Sequence, residues 1–303
     1  VPNEHYWDAG AVKLDRLVFT MVDDLNTELT MFENGEVDMT HDVPGPEIPR
    51  LKNDMPDELH IFPYLGTYYY IFNCEKKPFD DVRVRKALTM AIDRKAICEE
   101  VTMGGELPAF AFVPPGITDV EDDSDFREIG GDFFEEDVEE AKKLLADAGY
   151  PDGKGFPAFE ILYNTLDQHK IIAEAVMEMW EQNLGITGIT LHNEEWGIYL
   201  ASRDEGDFDV ARAGWIGDYV EPNSFLDIMR TGGGNNNSRW GDPHYDELID
   251  QLARLADPAE RMPLLHEQEG IMMENMPFMP IYYYTIPMMV NKNLKGYLHL
   301  TTG

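Results

Sequence analysis

A chain of 303 residues with 58 Asp plus Glu against 24 Lys plus Arg carries a formal charge of −34 and has the length for about two packed domains, which excludes a mini-protein held by staples. Its 43% hydrophobic and 11% aromatic residues can build cores, so the acidity does not imply disorder. A field of that sign repels polyphosphate and no basic stripe is present to release counterions, which argues against nucleic-acid binding; no window approaches the ~18 uninterrupted apolar residues of a membrane span.

Taken in chain order, residues 17–21 read as a strand. A helix with apolar Leu25, Leu29 and Phe32 follows and stops near Asn34-Gly35, and a short strand at 37–39 completes a β-α-β unit. The next strand is 67–73. Asp80 or Asp81 caps a helix carrying Val82, Val84, Ala87, Leu88 and Ala91, and Asp93 caps a second one that Gly104-Gly105 ends. Residues 106–135, rich in Pro and acids around Pro114-Pro115-Gly116, read as a long surface connection. A helix at 136–148, a strand at 159–164, a helix at 168–183 and a strand at 189–193 form a second α/β core with parallel strands. A helix from about Tyr199, a strand at 208–215, loops through Pro222 and over 232–237, helices at 245–256 and 259–276 and a late strand at 280–284 complete the α/β pattern. After Pro287 the chain reads as loop, apart from a possible strand at 288–291.

Chemistry-bearing motifs are few. The eight His include no tight pair at metal-ligand spacing and Cys74 and Cys98 stand apart, so no metal, no cofactor and unpaired thiols are expected. Gly232-Gly233-Gly234 lacks the Lys-Ser/Thr of a phosphate loop, and neither Gly-x-Ser-x-Gly nor His-Glu-x-x-His occurs. The first residues, Val1 to Trp7, are neither basic nor a signal h-region.

Four stretches do form a recognisable set: Thr67-Tyr-Tyr-Tyr-Ile-Phe-Asn73; Lys77-Pro-Phe-Asp-Asp-Val-Arg-Val-Arg-Lys-Ala-Leu88 with Ala91-Ile-Asp-Arg94; Gly214-Trp-Ile-Gly-Asp-Tyr-Val-Glu-Pro222; and Pro280-Ile-Tyr-Tyr-Tyr284. Together they resemble the family 5 extracellular solute-binding proteins of ABC importers, most closely the oligopeptide binders, in order from Tyr6-Trp7 to Gly296-Tyr297. The resemblance implies a non-catalytic, extracytoplasmic protein, periplasmic or lipid-anchored, of the type II periplasmic-binding fold. It would act as a monomer, close around short peptides and present them to a membrane permease. It covers the later part of such chains, so the signal sequence and much of the first lobe would precede Val1. On that pattern residues 1–65, with 285–303 returning, belong to the first, incomplete lobe and 66–284 to the second, with hinges at Leu65-Gly66 and Tyr284-Thr285.

A receptor for peptides of many sequences must grip what all peptides share. A buried ammonium needs a carboxylate, and the resemblance assigns this to Asp218. A backbone is read by strand addition, here at Gly214 and Ile216 opposite Gly66 and Thr67, with Trp215 excluding water. A carboxylate suits a guanidinium or a protonated imidazole, and the resemblance places Arg212 and His169 there. Trp196, Arg203 and Tyr64 would line side-chain pockets, and Thr102 stands where a relative has a lysine. Within the same family, a receptor for dipeptides, nickel chelates or oligosaccharides is the alternative, and an acid-rich hydrolase is a third reading. Asp218 beside Pro222 could also simply organise a turn.

Overall fold

Seven of the described helices begin at an aspartate: Asp24, Asp81, Asp93, Asp125, Asp137, Asp242 and Asp257 each take a backbone N–H at a helix start, whereas the helices Ile48–Asp54, Asp167–Leu184, Trp196–Glu205 and Asn223–Leu226 start without a side-chain cap. Each such cap is worth about 1 kcal/mol, so part of the acidic excess is structural. The computed structural model describes residues 3, 5–22, 24–120 and 124–296; Tyr297 and the rest of the expected 285–303 return lie outside them. In order the elements are α1 (Leu25–Glu33), α2 (Ile48–Asp54), β1 (Leu59–Phe72), α3 (Val82–Met90), α4 (Arg94–Ala96) running into a π turn (Ile97–Thr102), β2 (Leu107–Pro108), α5 (Phe126–Gly130) and α6 (Val138–Asp147). Then follow β3 (Phe159–Asn164), α7 (Asp167–Leu184), β4 (Ile189–Glu194), α8 (Trp196–Glu205), β5 (Val210–Ile216), α9 (Asn223–Leu226), α10 (Pro243–Leu252), α11 (Pro258–Asn275) and β6 (Phe278–Met289). Gly185 and Gly206, both left-handed, stop α7 and α8. Among the described residues no helix is long and apolar enough to cross a membrane.

One six-stranded sheet, ordered β2-β6-β1-β5-β3-β4, organises the molecule. β3 runs parallel to β4 and β5, whereas β5, β1 and β6 alternate antiparallel. The period-2 alternation of β1 builds a core on each face: Tyr68, Tyr70 and Phe72 pack with Val84, Leu145 and Trp180, while Tyr69 and Ile71 pack with Phe112, Phe225, Tyr245 and Met272. A third, separate core joins Leu29, Phe32, Val43, Ile48 and Leu51 to Met289 at the far end of β6.

Several expectations are corrected. Residues 17–21 form no strand: Leu17, Phe19 and Met21 are 65%, 81% and 90% exposed, and no described strand lies beside them to complete a ladder. The strand at 37–39 reduces to a single bridge, Met39 to Val290, so the first β-α-β unit is α1 alone. The 106–135 connection is not confined to the surface. Ala109, Ala111, Phe112, Val113 and Phe126 are fully buried, because the N–H groups of Phe112 and Val113 find an acceptor in buried Glu269 (3.1 and 2.9 Å). The possible strand at 288–291 is present as the end of β6, which runs through Pro287 to Met289 and is followed by the Val290 bridge. Prolines normally demote a strand, but these are placed harmlessly. The Val290 N–H to Glu58 O bond and the Ile61–Pro287 register turn the missing N–H of Pro287 away from β1, and Phe72 N–H to Pro277 O does the same for Pro280.

Two arginines of the 77–88 and 91–94 stretches serve the interior. Arg85 gives its guanidinium to the carbonyls of Phe79, Asn275 and Met276, closing the end of α11. Arg94, fully buried, holds the carbonyls of Thr89, Ile92 and Pro280 and stacks on Phe134 at 4.7 Å. Cys74 and Cys98 are free thiols.

Candidate functional site

Because β3, β4 and β5 are parallel, their carboxyl ends share one edge of the sheet, where open α/β sheets hold ligands. That edge carries Asn164 at the end of β3, His169 in the first turn of α7, Trp196 opening α8 and Asp218 just past β5. The antiparallel neighbours bring Gly66 of β1 and Tyr284 of β6 to the same place.

Arg212 is the centre. Its side chain lies on the same face as Tyr68, 4.6 Å above that ring, and donates to Tyr284 Oη (2.9 Å) and Asn164 Oδ1 (3.3 Å). Its Nε is buried without a partner, and among the described residues no carboxylate pairs with it. Glycine permits the arrangement: a Cβ at Gly214 would stand 2.4 Å from Tyr284 Oη. Tyr68, Tyr284 and Asn164 are functional candidates that sequence reading missed. The signal available was the alternation of Tyr68 and Tyr70, and of Tyr282 and Tyr284, which puts their rings on one face of paired strands.

His169 is buried, with Nδ1 3.3 Å from Tyr68 Oη. Burial first and the Arg212 charge second push its imidazole down to about 3, so in the unliganded protein it is neutral near pH 7. Burial likewise raises the Tyr284 phenol, which stays neutral.

Asp218 is exposed beside the crossing, one residue after Gly217, whose N–H donates to Leu65 O (2.8 Å). Its own N–H donates to Ser224 Oγ (2.8 Å), and Trp215 Nε1 donates to Ser224 O (2.6 Å). Ser224 thus organises the turn, and among the described residues nothing donates to the Asp218 carboxylate. It is near enough to Asp227 that, after burial, its charge helps raise that carboxyl.

The Asn73 N–H to Asp209 O and Gly217 N–H to Leu65 O bonds turn odd-numbered β5 residues toward β1, so the backbone groups of Gly214 and Ile216 face the other way. There β3 pairs only with Val210 and Ala211, and no described strand covers the remainder. Thr67, opposite Trp215, turns its side chain to the other face, where Oγ1 donates to Phe112 O (2.7 Å). Tyr64 meets the Tyr284 ring edge-on at 6.3 Å. Trp196, 56% exposed, stacks on Tyr199 at 5.7 Å. Arg203 lies about two turns further along α8, held by Asn237 Oδ1 (2.6 Å) and Tyr199 Oη (3.2 Å), so Trp196 and Arg203 are linked through Tyr199 and not by direct contact. Thr102 donates to Glu106 (2.9 Å).

At the crossing, a Cβ on Gly66 would come 2.4 Å from Ile216 Cδ1 and 2.9 Å from Trp215 O. Gly66→Ala is expected to cost about 1–3 kcal/mol through overpacking, read as a lower urea midpoint at unchanged slope; an unmoved midpoint would show that β5 yields freely.

The model of the bacterial extracellular solute-binding proteins, family 5 Middle, matches residues 1–237. The chain is 39% identical over 310 residues to the oligopeptide-binding protein OppA of Bacillus subtilis, covering 99% of this chain and 55% of that protein. Among solved structures it is similar to the unliganded open form of the murein tripeptide-binding protein MppA, with a TM-score of 0.76 and 37% identity over 98% of this chain and 57% of that one. It is also similar to Haemophilus influenzae OppA in complex with RPPGFSPFR, with a TM-score of 0.76 and 32% identity over 90% of this chain and 53% of that one. The chain thus spans about half the length of the relatives it matches, and its mixed sheet is the fold of these binding proteins.

Proposed function

The chain belongs to the family 5 bacterial extracellular solute-binding proteins, and on that premise we propose that it binds short peptides between two lobes outside the cytoplasm and hands them to an ABC permease without catalysis. The observation that carries this reading is Arg212. In a chain of charge −34, a largely buried guanidinium is held by neutral Tyr68, Tyr284 and Asn164, with no carboxylate paired to it among the described residues, leaving its charge for an incoming anion. A peptide laid along the open side of Gly214 and Ile216 would meet backbone partners, its carboxylate Arg212 and His169, and its ammonium Asp218. Two features support the lobes and hinge: the separate core at Leu29–Leu51 and Met289, and the irregular β1–β6 register between Pro63 and Thr67.

Trialanine at a hundred times its Kd is expected to stabilise the protein by about 2.7 kcal/mol, seen as a raised melting temperature. N-acetylation or C-terminal amidation should remove most of the shift, and Asp218→Asn should weaken binding of the free-amine form only. Equal shifts from trialanine and its doubly blocked form would refute terminal recognition.

A further inference from the structure

Resting on the peptide reading, we infer that capture of a free carboxylate at Arg212 draws a proton onto His169, so that peptide and proton bind together. The geometry supplies the coupling. Tyr68 is shared, its ring beneath the Arg212 guanidinium at 4.6 Å and its hydroxyl 3.3 Å from His169 Nδ1, so an anion seated on Arg212 arrives beside the imidazole.

The titratable groups facing His169 are Tyr68 from β1, Arg212 from β5 and, one ring further, Tyr282 and Tyr284 from β6. The other elements packed against α7 carry Cys98, Glu99 and Glu100 in the π turn, Glu139, Glu140, Lys142, Lys143 and Asp147 in α6, Glu160 and Tyr163 in β3, and His192 and Glu194 in β4, and α7 itself carries Asp167, Lys170, Glu174, Glu178 and Glu181. Of all these charges the imidazole feels only Arg212, second to burial, and together they hold its titration near 3. Among the described residues no group raises it.

A carboxylate on Arg212 reverses the electrostatic part. It neutralises the repelling cation and sets a negative charge within reach, and an opposite charge at ~4–6 Å moves a titration by about 1–3 units. The midpoint of His169 then rises from about 3 toward about 4–6, while a peptide carboxylate of ordinary pKa remains ionised. The sign follows. Where the bound form holds a proton that the free form lacks, acidity strengthens binding, by up to about tenfold in Kd per pH unit.

The test is calorimetry of trialanine binding at pH 5.5 in MES and in bis-Tris, whose ionisation enthalpies differ. The expected result is an uptake of a fraction of a proton per peptide that grows as the pH is lowered, absent for trialanine amide and for His169→Gln. NMR of the unaltered protein supplies a second reading independent of that variant's folding: saturating trialanine should move the His169 ring titration upward. Binding with identical heats in both buffers and an unmoved ring titration would overturn the inference while leaving the peptide reading intact. Uptake that persists in His169→Gln, with an unmoved ring titration, would assign the proton elsewhere and also overturn it. Failure of trialanine to bind at any pH would overturn both.

Discussion

Glu269→Ala is expected to destabilise the protein by about 3–5 kcal/mol, the largest stability loss of any single substitution considered. Glu269 is fully buried, and one carboxylate oxygen takes three donors: Phe112 N–H (3.1 Å), Val113 N–H (2.9 Å) and Arg127 Nη1 (2.7 Å). Alanine strands two backbone donors and a guanidinium that is only 8% exposed, and the cost of a buried charge left alone exceeds the net worth of the pair. Glu269→Gln keeps an acceptor for the backbone but not the charge, so it should cost less. Adding Arg127→Met to Glu269→Ala should recover part of the loss, because the stranded cation goes with it. Urea unfolding of the unaltered protein, Glu269→Ala, Arg127→Met and the double variant measures the cycle. A loss below about 1 kcal/mol for Glu269→Ala would mean that the segment is held by packing alone. The effect should also reach the crossing, since Phe112 O accepts the Thr67 hydroxyl.

That network explains why residues 106–135 misled a reading of the sequence. Pro and acidic composition signals a surface connection, but Ala109 to Val113 is apolar, and a buried loop becomes possible once a distant residue supplies its acceptor. Glu269 lies 156 positions from Val113, beyond any local pattern. By contrast, the α7 region was legible almost to the residue, because an amphipathic repeat bounded by a glycine stop is information within a few turns. Residues 17–21 have the composition of a strand, but a strand is a statement about a partner, and none lies beside them among the described residues. In the candidate site, residue types and their order along β5 were readable. What was not readable was the charge state of His169, which depends on burial and on Arg212 across 43 positions of sequence, nor the role of Tyr284, which required the register of β6 on β1.

Arg212→Met should separate a binding residue from a structural one by moving two quantities in opposite directions. In the unliganded protein the guanidinium is desolvated, and among the described residues its Nε is unpartnered and only neutral groups hold it. Replacing an unpaired buried cation by an apolar side chain of similar length leaves stability unchanged or raises it, because the desolvation cost disappears. The liganded protein responds oppositely. Losing one partner of a desolvated, hydrogen-bonded charge pair costs about 2–5 kcal/mol, so Kd for trialanine should weaken by about 30-fold to several thousandfold. Trialanine amide should lose far less, since it brings no charge to the site. Arg212→Lys should not rescue binding, because a single ammonium cannot span Tyr284, Asn164 and a carboxylate as a planar fork does. Calorimetry with the acid and the amide, beside melting curves of the unliganded proteins, gives the readout. A variant that melts far lower while its Kd for the free acid shifts less than threefold would place Arg212 in the scaffold with Arg85 and Arg94, and the anion site would have to be sought elsewhere.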